Sequence, residues 1–262
     1  MSLWKIASFN VNSVRARLPA VIDWLHTNQP DVLCIQETKV PDKEFPSEKI
    51  REAGYHVEFR GEASYNGVAT ISVTPPDEVK YGLGGKNPDG SRLIYTRIDG
   101  IPIINTYVPQ GRHTESEQFE YKLKWFDRLL NYFKKNYSPD DPLLWVGDVN
   151  IATEDIDVHN PKRLRGHVDF HPDVQAKMEK LMQWGFVDVF RKHVPGPGQY
   201  TFFDYRVKGA LEKGLGWRVD HILATPALAE RSTNAWIDLK PRKGPKPSDH
   251  TPIVAEFDLD RS

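Results

Sequence analysis

Apolar runs with strand character alternate with helix-period stripes along the whole chain. Residues 3–9 read as a first strand, stopped by the polar run Asn10-Val11-Asn12-Ser13. Leu18, Val21, Ile22 and Leu25 mark one face of a helix over residues 18–28. Residues 31–36 form a near-continuous apolar run, the pattern of a strand buried on both faces. A helix over 46–53 stops at Gly54. Strands are expected at 67–73, Leu93–Ile98 and Ile101–Tyr107, with Asp99-Gly100 as a hairpin turn. A long helix over 116–136 carries Phe119, Leu123, Phe126, Leu130 and Phe133 at core spacing. Residues 143–146 run as a strand into Gly147-Asp148, residues 173–184 are helical, and short strands are expected at 187–190, 218–224 and 253–259. No linker-like break or short repeat interrupts the alternation. The pattern predicts an α/β domain spanning 1–262, its sheets covered by helices.

Composition narrows the partners. The chain has 262 residues, 39% hydrophobic and 27% charged, which excludes wholesale disorder and a collagen-like fibre. Lys plus Arg number 35 against 36 Asp plus Glu, a formal charge of −1, so a polyanion must be met by a local basic surface. Cys34 is the single cysteine, which rules out an intrachain disulfide and a cysteine zinc site; its apolar surroundings suit a core residue. With no signal-peptide pattern and no apolar run long enough to span a bilayer, a soluble, cytoplasmic protein without a membrane partner is expected.

The chemistry concentrates where strands end. Five segments place acids, amides or histidines at the edge of an apolar strand: Asn10 and Asn12; Glu37; Asp148 and Asn150; Asp220; and Asp249-His250. In layered α/β proteins such positions carry ligand sites. Carboxylates and amides without cysteine favour a hard cation such as Mg²⁺. Histidine beside aspartate adds a group that exchanges protons near neutral pH, and together these describe metal-assisted attack of water on a phosphoester. The chain has no Gly-x-Ser-x-Gly elbow, P-loop or dinucleotide fingerprint, and Gly82-Leu83-Gly84-Gly85 reads as a loop.

From Ile6-Ala7-Ser8-Phe9-Asn10-Val11-Asn12 through Gln36-Glu37-Thr38-Lys39, Tyr107-Val108-Pro109-Gln110-Gly111, Gly147-Asp148-Val149-Asn150 and Trp217-Arg218-Val219-Asp220 to Ser248-Asp249-His250, the chain resembles the exonuclease III family of DNA-repair nucleases, the apurinic/apyrimidinic endonucleases, within the DNase I-like class. The resemblance implies a four-layer α/β sandwich of two mixed sheets, face to face, with helices outside. It implies Mg²⁺- or Mn²⁺-dependent cleavage of double-stranded DNA 5′ to abasic sites, with 3′-to-5′ exonuclease and 3′-phosphatase or phosphodiesterase activity. By the same resemblance Glu37 is a metal ligand with Asn10 and Asn12 beside it. Asp148 orients or deprotonates the attacking water next to Asn150, Tyr107 is a phenol near the scissile phosphate, and His250 contacts that phosphate. Successive side chains of an extended segment point opposite ways, so Asp220 is expected to orient His250 while Asp249 serves the metal.

Val149, Asn12 and Gln110 stand where some relatives carry Phe or Met, Asp, and Asn. DNA contacts are expected from Arg92, Lys39, Gln110 and Trp217, with Arg15, Arg17, Arg112 and Lys162-Arg163-Leu164-Arg165 as further candidates. The resemblance implies that Trp217 lines a pocket for an extruded abasic sugar, alongside an aromatic of Tyr200-Thr201-Phe202-Phe203; core packing is the competing reading for Trp217 and the favoured one for Phe202. His159, His167 and His171 match no zinc spacing and read as a solvated loop. The competing readings are a phosphoesterase of the same superfamily and a nucleic-acid-binding protein without catalysis; a monomer is the default.

Overall fold

The computed structural model describes residues 3–85 and 89–259. Its first half runs β1 (Trp4–Asn10), α1 (Val14–Asn28), β2 (Val32–Gln36), α2 (Ser47–Glu52), β3 (His56–Arg60), β4 (Val68–Ser72), β5 (Glu78–Tyr81), β6 (Leu93–Ile98), β7 (Ile101–Tyr107) and α3 (Glu117–Asn136). The second half runs β8 (Leu144–Asp148), α4 (Pro161–Leu164), α5 (Pro172–Trp184), β9 (Val187–Asp188), α6 (Val189–His193), β10 (Asp220–Ala224), α7 (Pro226–Ala229), β11 (Ser232–Ile237) and β12 (Ile253–Phe257).

These strands form two six-stranded sheets, ordered β11-β12-β1-β2-β4-β3 and β5-β6-β7-β8-β10-β9. Each holds one parallel pair, β1 with β2 and β7 with β8, among antiparallel neighbours. In each pair the crossover carries a helix, α1 or α3, as parallel pairing requires. Trp4, Ile6, Val32 and Cys34 of one sheet pack with Ile103, Leu144, Val146 and Ile222 of the other, a dry core between the sheets. Phe126, Leu129 and Phe133 of α3 and Met178 of α5 cover the outer face of the second sheet; Val21 and Leu25 of α1 cover the first. The arrangement is the expected four-layer sandwich.

Local chemistry accounts for the boundaries. Asp99 and Gly100 take φ of 51° and 76°, both positive, the requirement of a two-residue hairpin turn that matches strand twist. Ser116 caps α3 by accepting the Phe119 amide at 3.1 Å, with Glu117 and Glu120 at the positive end of the helix dipole and Lys134 and Lys135 at the negative end. At Gly147, φ is 138° and a Cβ would lie 2.0 Å from the Thr106 carbonyl oxygen, so only glycine lets β8 lie this close to β7. Cys34 is fully buried and its thiol pKa is pushed up by that burial, as a core residue's should be.

Two expectations need correction. The strand expected over 187–190 ends at Asp188, whose Oδ1 accepts the Arg191 amide at 3.1 Å and starts α6 instead. The buried stripe of α3 is rotated from the expected one: Trp125, Leu129 and Lys122 are buried, while Leu123 and Leu130 are only partly covered. No helix among the described residues is long and apolar enough to cross a membrane.

Candidate active site

Strand register gathers the polar residues. Asn10 and Gln36 form the last rung of the parallel pair β1/β2; Tyr107 and Asp148 form the last rung of β7/β8; Asp220 opens β10 opposite Asp148. Both sheets therefore end on the same polar cleft. Beneath it a buried amide stitch ties sheet to sheet: Gln36 Nε2 donates to Asn105 Oδ1 at 2.8 Å, and Asn105 Nδ2 donates to the Ala69 carbonyl at 2.9 Å.

Asn10 sits at the centre. Its Nδ2 donates to Glu37 Oε1 at 2.7 Å and to Asp148 Oδ2 at 2.8 Å, so one amide spans carboxylates carried by different sheets. Asp148 Oδ1 accepts the Asn150 backbone amide at 3.0 Å, and Asn150 Nδ2 is anchored on the Val108 carbonyl at 2.8 Å. His250 Nδ1 lies 2.8 Å from Asp220 Oδ2, and its Nε2 faces Asp148 Oδ2 at 3.8 Å. Asp220 thus takes the orienting place beside His250. Asp249 instead accepts from Asn12 Nδ2 at 2.9 Å.

Burial would lower the imidazole's pKa, but Asp220, Asp148 and Asp249 outweigh it and hold His250 at about 10, a charged imidazolium at neutral pH. Burial, with Asp220 and Glu37 beyond it, pushes the Asp148 carboxyl well above its ordinary range despite the imidazolium. Burial and the same two acids, Glu37 and Asp148, keep the Tyr107 phenol protonated far above its usual value. Arg92 lies 5.0 Å over the Tyr107 ring and donates from Nη1 to the Tyr107 carbonyl at 3.2 Å, fixing the tyrosine.

Glu37, Asp148 and His250 offer ligand atoms all within 4.8 Å of one another. Among the described residues, His250 and Lys39 are the cations in direct ion pairing with Glu37, Asp148, Asp220 and Asp249, and Asp220 Oδ1 is buried with no hydrogen-bond partner. A surplus of hard oxygen donors around buried acids fits a divalent cation of the Mg²⁺ type, which needs only one or two protein carboxylates.

The cleft, about 280 Å³, is lined by Glu37, Tyr107, Asn150 and His250 together with Trp217, Phe202, Val219 and His167. Trp217 packs with Phe170, Val158 and Val219 while keeping an edge in the cleft. Phe202 is not a core residue: its ring stands 5.0 Å from that of His250 and lines the cleft. The three histidines make separate contacts. His159 is held by the Gly216 carbonyl, His167 lies 4.8 Å from the Trp217 ring, and His171 caps α5 by accepting the Asp173 amide.

Several basic candidates are already engaged. Arg15 pairs with Glu44 and Arg165 with Asp155, while Arg17 donates to the Asn12 and Pro247 carbonyls. Gln110 Nε2 donates to Asp169 Oδ2 at 3.2 Å. Lys39 is turned inward, its Nζ 2.7 Å from Glu37 Oε2 and 2.6 Å from Asn12 Oδ1.

Two supports were not anticipated from sequence. Lys122 is wholly buried, with Nζ within 3.1 Å of the carbonyls of Gln110, Asn150 and Val168 and 2.9 Å from Asp169 Oδ1, so one ammonium clamps three cleft loops. Burial pulls its pKa down and Asp169 opposes. The signal was present: a lysine occupies the apolar stripe between Phe119 and Phe126. Arg218, also wholly buried, binds Asp157 through Nε at 2.7 Å and Nη2 at 3.0 Å and reaches Asp188 at 2.8 Å, bracing the loop after β8 against β10 and α6. No periodicity marks Arg218 in the sequence.

Residues 7–250 match the Endonuclease/Exonuclease/phosphatase family. The chain is 38% identical over 266 residues to exodeoxyribonuclease III of Haemophilus influenzae, covering 97% of this chain and 99% of that protein. Its structure superposes on an AP endonuclease from Archaeoglobus fulgidus with a TM-score of 0.96 at 52% identity, covering 98% of this chain and 100% of the other. A 3′-5′ exonuclease from Neisseria meningitidis gives a TM-score of 0.92 at 34% identity, over 97% and 100% of the two chains. Paired β-α-β sheets ending on a shared acid–amide–histidine cleft, and likeness of this extent, give one conclusion: the chain belongs to the endonuclease/exonuclease/phosphatase family, among relatives of the exonuclease III type.

Proposed function

We propose that this protein is a DNA-repair nuclease that, with Mg²⁺ or Mn²⁺, hydrolyses the phosphodiester 5′ to abasic sites in duplex DNA. On 3′ ends the same centre acts as a 3′-to-5′ exonuclease and a 3′-phosphatase or phosphodiesterase, and the protein works as a monomer. The observation that carries this reading is the facing of Asp148 and the His250–Asp220 pair across 3.8 Å, with Glu37 joined to Asp148 through Asn10.

Glu37 would hold the cation, with Asn10, Asn12 and Asp249 beside it; when bound, it would supply Lewis-acid polarisation of a phosphoryl oxygen. The chain's own groups do the rest. Asp148, whose proton affinity is raised by burial, accepts the proton of an attacking water on a carboxylate oxygen. His250 remains an imidazolium because of Asp220, and its Nε2 proton stabilises charge growing on the phosphoryl oxygens. The protonated Tyr107 phenol is a second donor, held by Arg92. The strand carrying the 3′ oxygen leaves as the P–O bond breaks, and the phosphate stays with the abasic sugar.

Selectivity follows from the apolar part of the lining. Trp217, Phe202 and Val219 give an apolar surface beside the acids. A sugar without a base has nothing to unstack, so it enters such a pocket at lower cost than a normal nucleotide. Arg92 and Gln110 flank the cleft as backbone contacts. The test is incision of a duplex containing one synthetic abasic site, with Mg²⁺ and with EDTA. Cleavage 5′ to the lesion with Mg²⁺ alone is expected. Cleavage that persists in EDTA, or no cleavage with either Mg²⁺ or Mn²⁺, would overturn the proposal.

A further inference from the structure

Lys39 occupies an odd position for a DNA contact. Its ammonium is buried toward the acids, 2.7 Å from Glu37 Oε2 and 2.6 Å from Asn12 Oδ1, with only 28% of its side chain exposed. The backbone holds it there at a cost. Glu37 and Lys39 take φ of 52° and 55°, a left-handed conformation that non-glycine residues rarely adopt. The strain persists because the segment is locked on both sides. Ser13 N donates to the Glu37 carbonyl at 2.7 Å and Val14 N to the Thr38 carbonyl at 3.0 Å, while Thr38 N and Lys39 N donate to the carbonyls of Gly67 and Asn66. This lock on both sides of the segment fixes the backbone from which Lys39 reaches Glu37.

Asn10 takes Glu37 Oε1, and Lys39 takes Glu37 Oε2. Both oxygens of the acid read as a metal ligand thus have protein partners, one of them a full positive charge. A divalent cation arriving at Glu37 must either displace that ammonium or bind against its repulsion.

We propose that Lys39 is a built-in competitor for the metal position, an internal cation that neutralises Glu37 and keeps divalent-cation affinity low until substrate phosphate oxygens complete the site. This inference rests on the reading of Glu37 as a metal ligand. A hard cation that keeps several waters and relies on phosphate oxygens suits such an arrangement. The resting protein then holds its acids quiet with its own lysine, and metal is retained chiefly together with DNA.

The test is Mn²⁺ binding to the metal-stripped full-length protein without DNA, followed by the electron paramagnetic resonance signal of free Mn²⁺. Lys39→Met should bind Mn²⁺ about tenfold tighter than wild type, the scale of removing one positive charge a few ångströms from a divalent ion in a wet site. Lys39→Gln, which keeps a polar side chain beside Asn12, should tighten binding likewise and serves if Lys39→Met fails to fold. Lys39→Arg, retaining the charge, should stay near wild type. Equal or weaker Mn²⁺ binding by both neutral variants, with wild-type binding still abolished in Glu37→Gln, would overturn the competitor role alone. Wild-type binding that survives Glu37→Gln would overturn the metal-ligand reading and this inference with it.

Discussion

Asp148 and Asp157 flank the same loop and are both buried, yet the protein treats them oppositely. Burial alone would raise Asp157, but Arg218 and Arg191 reverse that and hold its carboxyl at about 2; Thr153 and the Glu154 amide complete its hydrogen bonds. Asp148 receives one side-chain amide from Asn10 and one backbone amide from Asn150, and looks out on Glu37 and Asp220 as well as on the His250 imidazolium. Its carboxyl is driven up rather than down. A buried acid surrounded by guanidinium groups is scaffold. A buried acid among other acids is held ready for a proton or a cation. The same loop therefore has one end fixed and the other end reactive.

The largest effect should come from breaking the scaffold end. Arg218→Met strips Asp188 of its guanidinium partner and leaves Asp157 with Arg191 alone, so the unfolding free energy in urea should fall by about 3–5 kcal/mol. A loss under about 1 kcal/mol would show that the network contributes little, as surface pairs do. At the reactive end, Asp220→Asn removes the charge that keeps His250 protonated. Single-turnover incision should slow by about 10²-fold; an undiminished rate in a folded variant would refute the pairing.

The pH dependences of the two ends should run in opposite directions. Below the ordinary histidine value of 6.5 the His250–Asp220 pair contributes its full stabilisation, which is lost as pH climbs through about 10. The stability gap between wild type and Asp220→Asn should then narrow by about 1–2 kcal/mol from neutral pH to about pH 10.5. Asp157 contributes above its ordinary value of 3.8, and that contribution is lost as pH falls through about 2, a decline that should flatten in Arg218→Met. Urea titrations at fixed pH check both slopes.

This division explains which parts of the site were legible in the amino-acid sequence. Glu37, Asp148, Asp220 and His250 stand at or just beyond the ends of strands that apolar runs mark clearly, so their convergence follows once Glu37 and Asp148 close parallel pairs and Asp220 and His250 lead into the antiparallel strands beside them. The scaffold was hidden because it depends on contacts between distant segments. Nothing local ties Arg218 to Asp157, and Lys122 shows itself only as a charge on an apolar stripe. Phe202 was misread because a lone aromatic run suits core and cleft alike; only the bridges of Phe202 to Trp217 and His250 turn it toward the site. Edge strands β3, β5 and β11 were missed for a related reason. Solvated on one side, they carry mixed residues such as Ser-Thr-Asn-Ala-Trp-Ile and lack a strict alternation.

One measurement puts the contrast between the two acids to its plainest test: Asp148→Asn, read for stability and for incision in the same preparation. The substitution removes a desolvated carboxylate while keeping an oxygen for the Asn10 amide. Its urea midpoint in EDTA should equal or exceed that of wild type, and its Mg²⁺-supported incision of an abasic duplex should fall by at least about 10³-fold. A folded variant that still incises at close to the wild-type rate would contradict the account.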